Sequence, residues 1–206
     1  VVFYNNGNSG FTAGVPLEFA TTSEYISTIG DINADGREDF ITTGAASPGT
    51  DEPNYYLYLS TGNGLWAAPQ LIASLHGGLF FGEFNGDGRK DIAIRKDISN
   101  TQNYTIRYLL QNPDGSFDEA PEVFLGRLRV EGVDEFNHDG IDDFFGTTNF
   151  SNTISIYLSH AGSAHIATDF PAAYKDGSYR LYFADFNGDG HRDIVDSGRA
   201  SNATFG

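Results

Sequence analysis

One pattern of charge recurs four times along the chain and constrains the fold more than any other feature. "GDINADGREDFI" begins at Gly30, "GEFNGDGRKDIAI" at Gly82, "DEFNHDGIDDFF" at Asp134 and "ADFNGDGHRDIV" at Ala184. Aligned on the asparagine, each reads acid-x-Asn-x-Asp-Gly-x-x-Asp. The first acids, Asp31, Glu83, Glu135 and Asp185, are separated by 52, 52 and 50 residues. A fixed period in this range is the signature of a repeat architecture, in which each unit buries its apolar face against its neighbours.

The repeated segment crowds like charges immediately before an apolar run. Three acids per copy account for 12 of the 28 in the chain. Carboxylates spaced two apart in a tight loop repel one another unless a cation lies between them. Oxygen donors at alternate positions, with a glycine for the sharp turn, match what a hard cation such as Ca²⁺ requires. Position 1 is Asp or Glu, 3 is Asn, 5 is Asp, 7 would offer a backbone carbonyl and 9 is Asp. Gly36, Gly88, Gly140 and Gly190 occupy position 6, where a positive φ is expected. Asp, Asn and Gly also favour ordinary polar turns, but four copies in register outweigh that reading. Mg²⁺ fits less well because it prefers to keep several waters.

The pattern departs from the EF-hand, which needs a bidentate Glu at position 12 and flanking helices. Position 12 is Thr42, Ile94, Gly146 or Asp196, and the flanks read as strands. "YISTIG" (25–30) and "LYFAD" (181–185) precede loops, and "DFITTG" (39–44), "DIAI" (91–94) and "DIVD" (193–196) follow them. The motif is therefore expected to join two strands of a hairpin. The rest of each period is also β: "NYYLYLSTGNGLW" (54–66), "YTIRYLLQNPDGSF" (104–117) and "ISIYLSHAG" (154–162) occupy one slot, a strand followed by a turn. No amphipathic helix stands out. The expected fold is all-β, with about four short strands per period, and radially repeated four-stranded sheets are the blades of a β-propeller.

Composition narrows the class. The chain is 39% hydrophobic and 14% aromatic, enough for a core. The net charge of −16 argues against nucleic acid as a partner. No apolar run is long enough to cross a membrane as a helix, so membrane insertion is not expected. With no cysteine, neither a disulfide framework nor a thiol site is available. With no methionine, Val1 is not a translation start, and the chain is read as processed or trimmed.

The four loops, each followed by a short apolar strand, resemble the FG-GAP or VCBS repeats of integrin α-subunit propellers and of many secreted bacterial and fungal proteins. The resemblance implies that residues 1–206 form one propeller domain. It also implies that the loops join the first and second strands of each blade and bind up to four structural Ca²⁺ ions. The ligands it implies in the first loop are Asp31, Asn33, Asp35, Arg37 through its carbonyl, and Asp39. In the second they are Glu83, Asn85, Asp87, the Arg89 carbonyl and Asp91. In the third they are Glu135, Asn137, Asp139, the Ile141 carbonyl and Asp143, and in the fourth Asp185, Asn187, Asp189, the His191 carbonyl and Asp193. Two copies begin with Glu where Asp is more usual, and the extra methylene changes the reach. A weaker similarity to mushroom propeller lectins rests on the turns "NNGNSGF" (5–11) and "STGNGLW" (60–66).

Trp66, Tyr55, Tyr56, Tyr174 and Tyr179 are candidates for stacking on sugar faces or anchoring a protein partner, with core packing as the competing role for each. The five histidines show no ligand spacing, and His138 and His191 read as incidental members of their loops. No nucleophile elbow or P-loop is present, so no catalytic residue is assigned and the reading leans away from an enzyme. A glycosidase-like carboxylate pair drawn from separate blades stays open. Three functions fit: an extracellular, calcium-stabilised binding module for glycans, a protein-adhesion or structural domain of a larger secreted protein, and a polysaccharide-active enzyme. Counted from Asp185 through the two termini to Asp31, the spacing is again 52 residues. Closure of a four-bladed ring by pairing of N- and C-terminal half-blades is the corresponding expectation.

Overall fold

The computed structural model describes residues 1–46, 49, 51–98, 101–148, 153–160, 163–171 and 181–196. Every regular element among them is a strand. The chain divides into two compact units, Val1–Leu79 and Phe80–Gly206.

The first unit holds an antiparallel meander in the order Tyr25–Gly30, Asp39–Gly44, Asn54–Tyr58 and Gln70–Ser74. A hairpin of Ser60–Gly62 with Leu65–Trp66 interrupts it, and Phe3–Asn5 pairs with Phe11–Ala13. The second strand, Asp39–Gly44, is buried along its whole length. It reads "DFITTG" rather than alternating polar and apolar residues, as a strand covered on both faces does.

In the second unit, Leu128–Asp134, Asp143–Thr148, Thr153–His160 and Ser163–Pro171 form another four-stranded meander. A further sheet runs Gly77–Gly82, Asp91–Ile98, Asn103–Gln111, and its outer edge departs from the expected single strand. Phe117–Glu119 and Val123–Gly126 both pair onto Asn103–Gln111. Pro121 lies between them and cannot donate to the ladder, which breaks the edge in two. Leu181–Ala184 pairs with Asp193–Asp196. Among the described residues no ladder links Phe3–Asn5 with Asp193–Asp196, and residues 197–206 lie outside them.

The sheets of the second unit enclose a core of Phe84, Tyr104, Ile106, Tyr108, Leu128, Val130 and Phe144, among others. Phe84 and Phe144 stack with centroids 5.2 Å apart and planes 11° apart. Phe84 belongs to an acidic loop and Phe144 directly follows another, so the loops are pinned to the core they border. Expected strand bounds of 25–30, 39–44 and 193–196 agree with the observed ones. The local β-pattern is strong there and each strand is punctuated by Gly or Asp.

Candidate metal loops and an aromatic groove

Each acidic segment joins the first and second strands of a hairpin. The register closes at Gly30↔Asp39, Asp134↔Asp143 and Ala184↔Asp193, so position 9 pairs with the residue just before position 1. The tight reversal between them needs two left-handed residues. Position 6 is glycine with φ between 81° and 89° in all four copies. Position 4 is left-handed too, at Ala34, Gly86, His138 and Gly188, with φ of 58°, 82°, 60° and 80°.

The carboxylate at position 1 folds back onto the amides of its own loop. Asp31 accepts the Asp35 and Gly36 N–H groups at 3.0 and 2.8 Å, and Asp185 accepts those of Gly188, Asp189 and Gly190 at 2.6, 3.1 and 2.8 Å. These amide bonds, that from Gly190 foremost, hold the Asp185 carboxyl below its ordinary value. Glu83 and Glu135 reach the same position-5 amides, Asp87 at 3.3 Å and Asp139 at 3.2 Å. The added methylene is therefore absorbed within the loop. The asparagine at position 3 bridges to position 5 in every copy: its Nδ2 donates to Asp35, Asp87, Asp139 and Asp189 at 2.9 to 3.1 Å.

Position 9 behaves differently, and its role was not legible in the motif. Asp39, Asp91 and Asp143 are fully buried. In all four loops the Oδ2 of this residue accepts the position-2 amide, those of Ile32, Phe84, Phe136 and Phe186, at 2.9 to 3.0 Å. In three of them Oδ1 accepts an amide at or just past the far end of the third strand: Ser60 at 2.7 Å, two residues beyond it, and Gln111 at 2.8 Å and Ser159 at 2.7 Å, within it. This aspartate staples loop, hairpin and third strand together. Burial pushes the Asp39 carboxyl up, and pushes those of Asp91 and Asp143 up to about 6, against the lowering effect of the amides. Position 2 adds a hydrophobic plug. Ile32 and Phe84 are buried, whereas Phe186 stays exposed.

Position 7 separates the copies. Arg37 and Arg89 each pair with their own position-5 carboxylate, Asp35 and Asp87. Their Nε atoms also donate to the Ser60 and Gln111 carbonyls at 3.0 and 2.9 Å. Ile141 and His191 replace them in the other two loops. Among the described residues no three His, Cys, Asp or Glu side chains converge as a metal cage. The donor set of each loop is nonetheless oxygen throughout: carboxylates at 1, 5 and 9, an amide oxygen at 3 and a carbonyl at 7. Such a set suits a hard cation and no soft one.

Among the described residues the aromatic candidates Tyr55, Tyr56 and Trp66 do not form one cluster. Tyr55 is buried in the first unit and its hydroxyl donates to the Gly77 carbonyl at 2.8 Å. Tyr56 is half-buried beside Asn54. Tyr174 and Tyr179 lie outside the described residues. Trp66 lines a groove of about 280 Å³ with Pro16, Leu17, Tyr58, Leu65 and Pro69, and its ring packs on Phe40 at 4.6 Å. Its Nε1 is buried and has no acceptor among the described residues. The two proline segments beside the "NG" turn could have signalled this groove in the sequence.

No match was found among curated proteins. The profile of the FG-GAP-like repeat family matches residues 31–94 and 136–195. Those two spans cover the second to ninth positions or more of all four acidic loops and more than half of the chain. The chain belongs to the FG-GAP-like repeat family.

Proposed function

We propose that this chain is an extracellular β-propeller module whose four acidic loops each take up a structural Ca²⁺ ion, and whose ligand is a glycan. The observation that carries the calcium reading is the fourfold recurrence of one loop geometry with an all-oxygen donor set. The ligands are those named above for each loop, from Asp31 to Asp39, Glu83 to Asp91, Glu135 to Asp143 and Asp185 to Asp193. Bound calcium would neutralise the crowded carboxylates of each loop, and four ions would halve the formal net charge of −16.

A radial arrangement of the sheets is supported by what it would cover. Tyr25 and Ile29 in the first unit, and Tyr182 and Phe186 in the second, are each more than half exposed, and exposed apolar side chains of this size are what packing of one sheet on the next would cover.

The glycan reading rests on Trp66 in its groove, since a half-buried indole with a neighbouring tyrosine and prolines offers a flat apolar face to a sugar ring. A broad glycan array with calcium present tests it. Retention of one glycan class supports the reading. Absence of any glycan partner moves the module to protein adhesion or a structural role, and turnover of a polysaccharide moves it to the enzyme class.

A further inference from the structure

The third and fourth acidic loops meet through two histidines that neither motif accounts for. His138 occupies position 4 of the third loop and His191 position 7 of the fourth. His138 Nε2 lies 3.1 Å from His191 Nδ1, with ring centroids 5.1 Å apart. The same positions touch in the preceding pair of loops, where a Cβ built on Gly86 would lie 3.8 Å from Ile141 Cδ1. Both pairs of adjacent loops within the second unit therefore bring position 4 against position 7, and of these two pairs the third and fourth loops carry an imidazole at both places.

Three features prepare the pair to hold an ion. His138 keeps a left-handed backbone, φ 60°, which costs free energy in a residue with a Cβ and aims its ring at the next loop. Glu135 Oε2 lies 3.4 Å from His138 Nδ1, so the carboxylate faces one ring nitrogen and leaves Nε2 toward His191. A carboxylate behind a ligating histidine is the usual outer partner of a metal-bound imidazole. The two rings also border an open cavity of about 270 Å³, lined by Asp134, Asp185 and Arg192 as well, with room for the water ligands that complete a coordination shell. The Arg192 guanidinium is held to Asp134 at 3.3 Å rather than turned onto the imidazoles.

The spacing decides the metal. Two nitrogens bound tetrahedrally at about 2.0–2.1 Å are about 3.3 Å apart, close to the observed separation. Imidazole nitrogens suit Zn²⁺, Cu²⁺ and Ni²⁺, whereas Ca²⁺ and Mg²⁺ take oxygen. We propose that His138 and His191 form a binding site for a divalent transition metal of the Zn²⁺ class, bridging the third and fourth loops and distinct in its ligands from the calcium sites within them, with Glu135 as the residue that borders both. A metal there would crosslink two repeats that the Arg192–Asp134 ion pair and aromatic packing already join.

The test is equilibrium dialysis of the untagged protein against Zn²⁺ with calcium saturating, followed by elemental analysis. It is applied to the wild type, His138→Asn, His191→Gln and the control His76→Gln. Asparagine is chosen at 138 because it tolerates the left-handed backbone. The expected result is one Zn²⁺ equivalent bound by the wild type and by the control. Each of the other variants should lose affinity by more than the roughly 10–100-fold that loss of an outer partner costs. Equal zinc uptake by wild type and both variants, or no uptake by the wild type, overturns the proposal. NMR of the wild-type imidazole protons decides without any variant: Zn²⁺ must shift His138 and His191 together, and shifts confined to other histidines overturn it. Repeating the dialysis without calcium separates failure of this site from failure of the calcium reading.

Discussion

Asp91 Oδ1 accepts the Gln111 amide at 2.8 Å across 20 residues of chain, while its Oδ2 accepts the Phe84 amide at 3.0 Å. One buried carboxylate thus joins the acidic loop, the second strand it begins and the end of the third. Leaving a buried amide without an acceptor costs about 1–3 kcal/mol. Asp91→Ala strands two, so we expect a loss of about 2–6 kcal/mol in calcium-free buffer. Asp91→Asn keeps one acceptor oxygen and should cost about half as much. Asp35→Ala, at an exposed position, should be nearly neutral there and weaken only calcium binding. Urea denaturation of the three variants checks this, and similar losses at Asp91 and Asp35 would contradict the staple.

Calcium should raise the melting temperature and a chelator should lower it. Extracellular calcium modules bind at about 10⁻⁴–10⁻³ M. At about 100 times Kd, one independent site adds about 2.7 kcal/mol. Calorimetry with Ca²⁺ and with EGTA, together with elemental analysis, gives the shift and the stoichiometry. Coincident melting curves with no bound calcium would exclude the metal sites.

In chelator, stability should increase on mild acidification. Burial pushes the Asp91 and Asp143 carboxyls up to about 6 in the folded chain. A raised folded-state value means that proton uptake favours folding. That contribution is complete below the unfolded carboxylate value of about 3.9, and it is lost as pH rises through about 6. Thermal melts in EGTA should therefore show a higher Tm near pH 5 than near pH 7. With calcium bound to the same loops the order should reverse, because protons then compete with the ion. A calcium-free Tm that falls steadily from pH 7 to 5 would contradict the burial of these carboxylates.

Two glycines should respond very differently to alanine. Gly88 has φ +81° but open space where a Cβ would go, so Gly88→Ala adds only backbone strain, about 1–2 kcal/mol. A Cβ on Gly146 would lie 2.1 Å from the Arg129 carbonyl oxygen, in the paired strand. Gly146→Ala should break the pairing of Leu128–Asp134 with Asp143–Thr148, seen as lost amide protection in hydrogen exchange across those strands. Retained protection there would refute the close approach.

Trp66 is the single tryptophan, so its emission reports on the groove directly. A glycan that stacks there should shift or quench the fluorescence saturably, and Trp66→Ala should reduce binding at least tenfold while the far-ultraviolet spectrum stays unchanged. Glycan binding that leaves the emission untouched would place the ligand elsewhere.

What the sequence determined by itself is local. The hairpin at each acidic loop, its glycine reversal and the bonds from position 1 to positions 5 and 6 all connect residues a few places apart. The choice of Asp, Asn and Gly at those places therefore suffices to specify them. The apolar residue at position 2 was equally legible as part of the repeat, although its burial at Ile32 and exposure at Phe186 were not. Only the tertiary structure separated Asp39, Asp91 and Asp143 from the other loop acids, because the amides they clamp arrive from a strand 16 to 21 residues further on. Only the tertiary structure sorted the aromatic residues, burying Tyr55 and leaving Trp66 on a groove, since the cover over each comes from other strands. The meeting of His138 and His191 is the extreme case. Their positions within the repeat differ, 53 residues separate them, and nothing but the stacking of one loop on the next brings the two rings together.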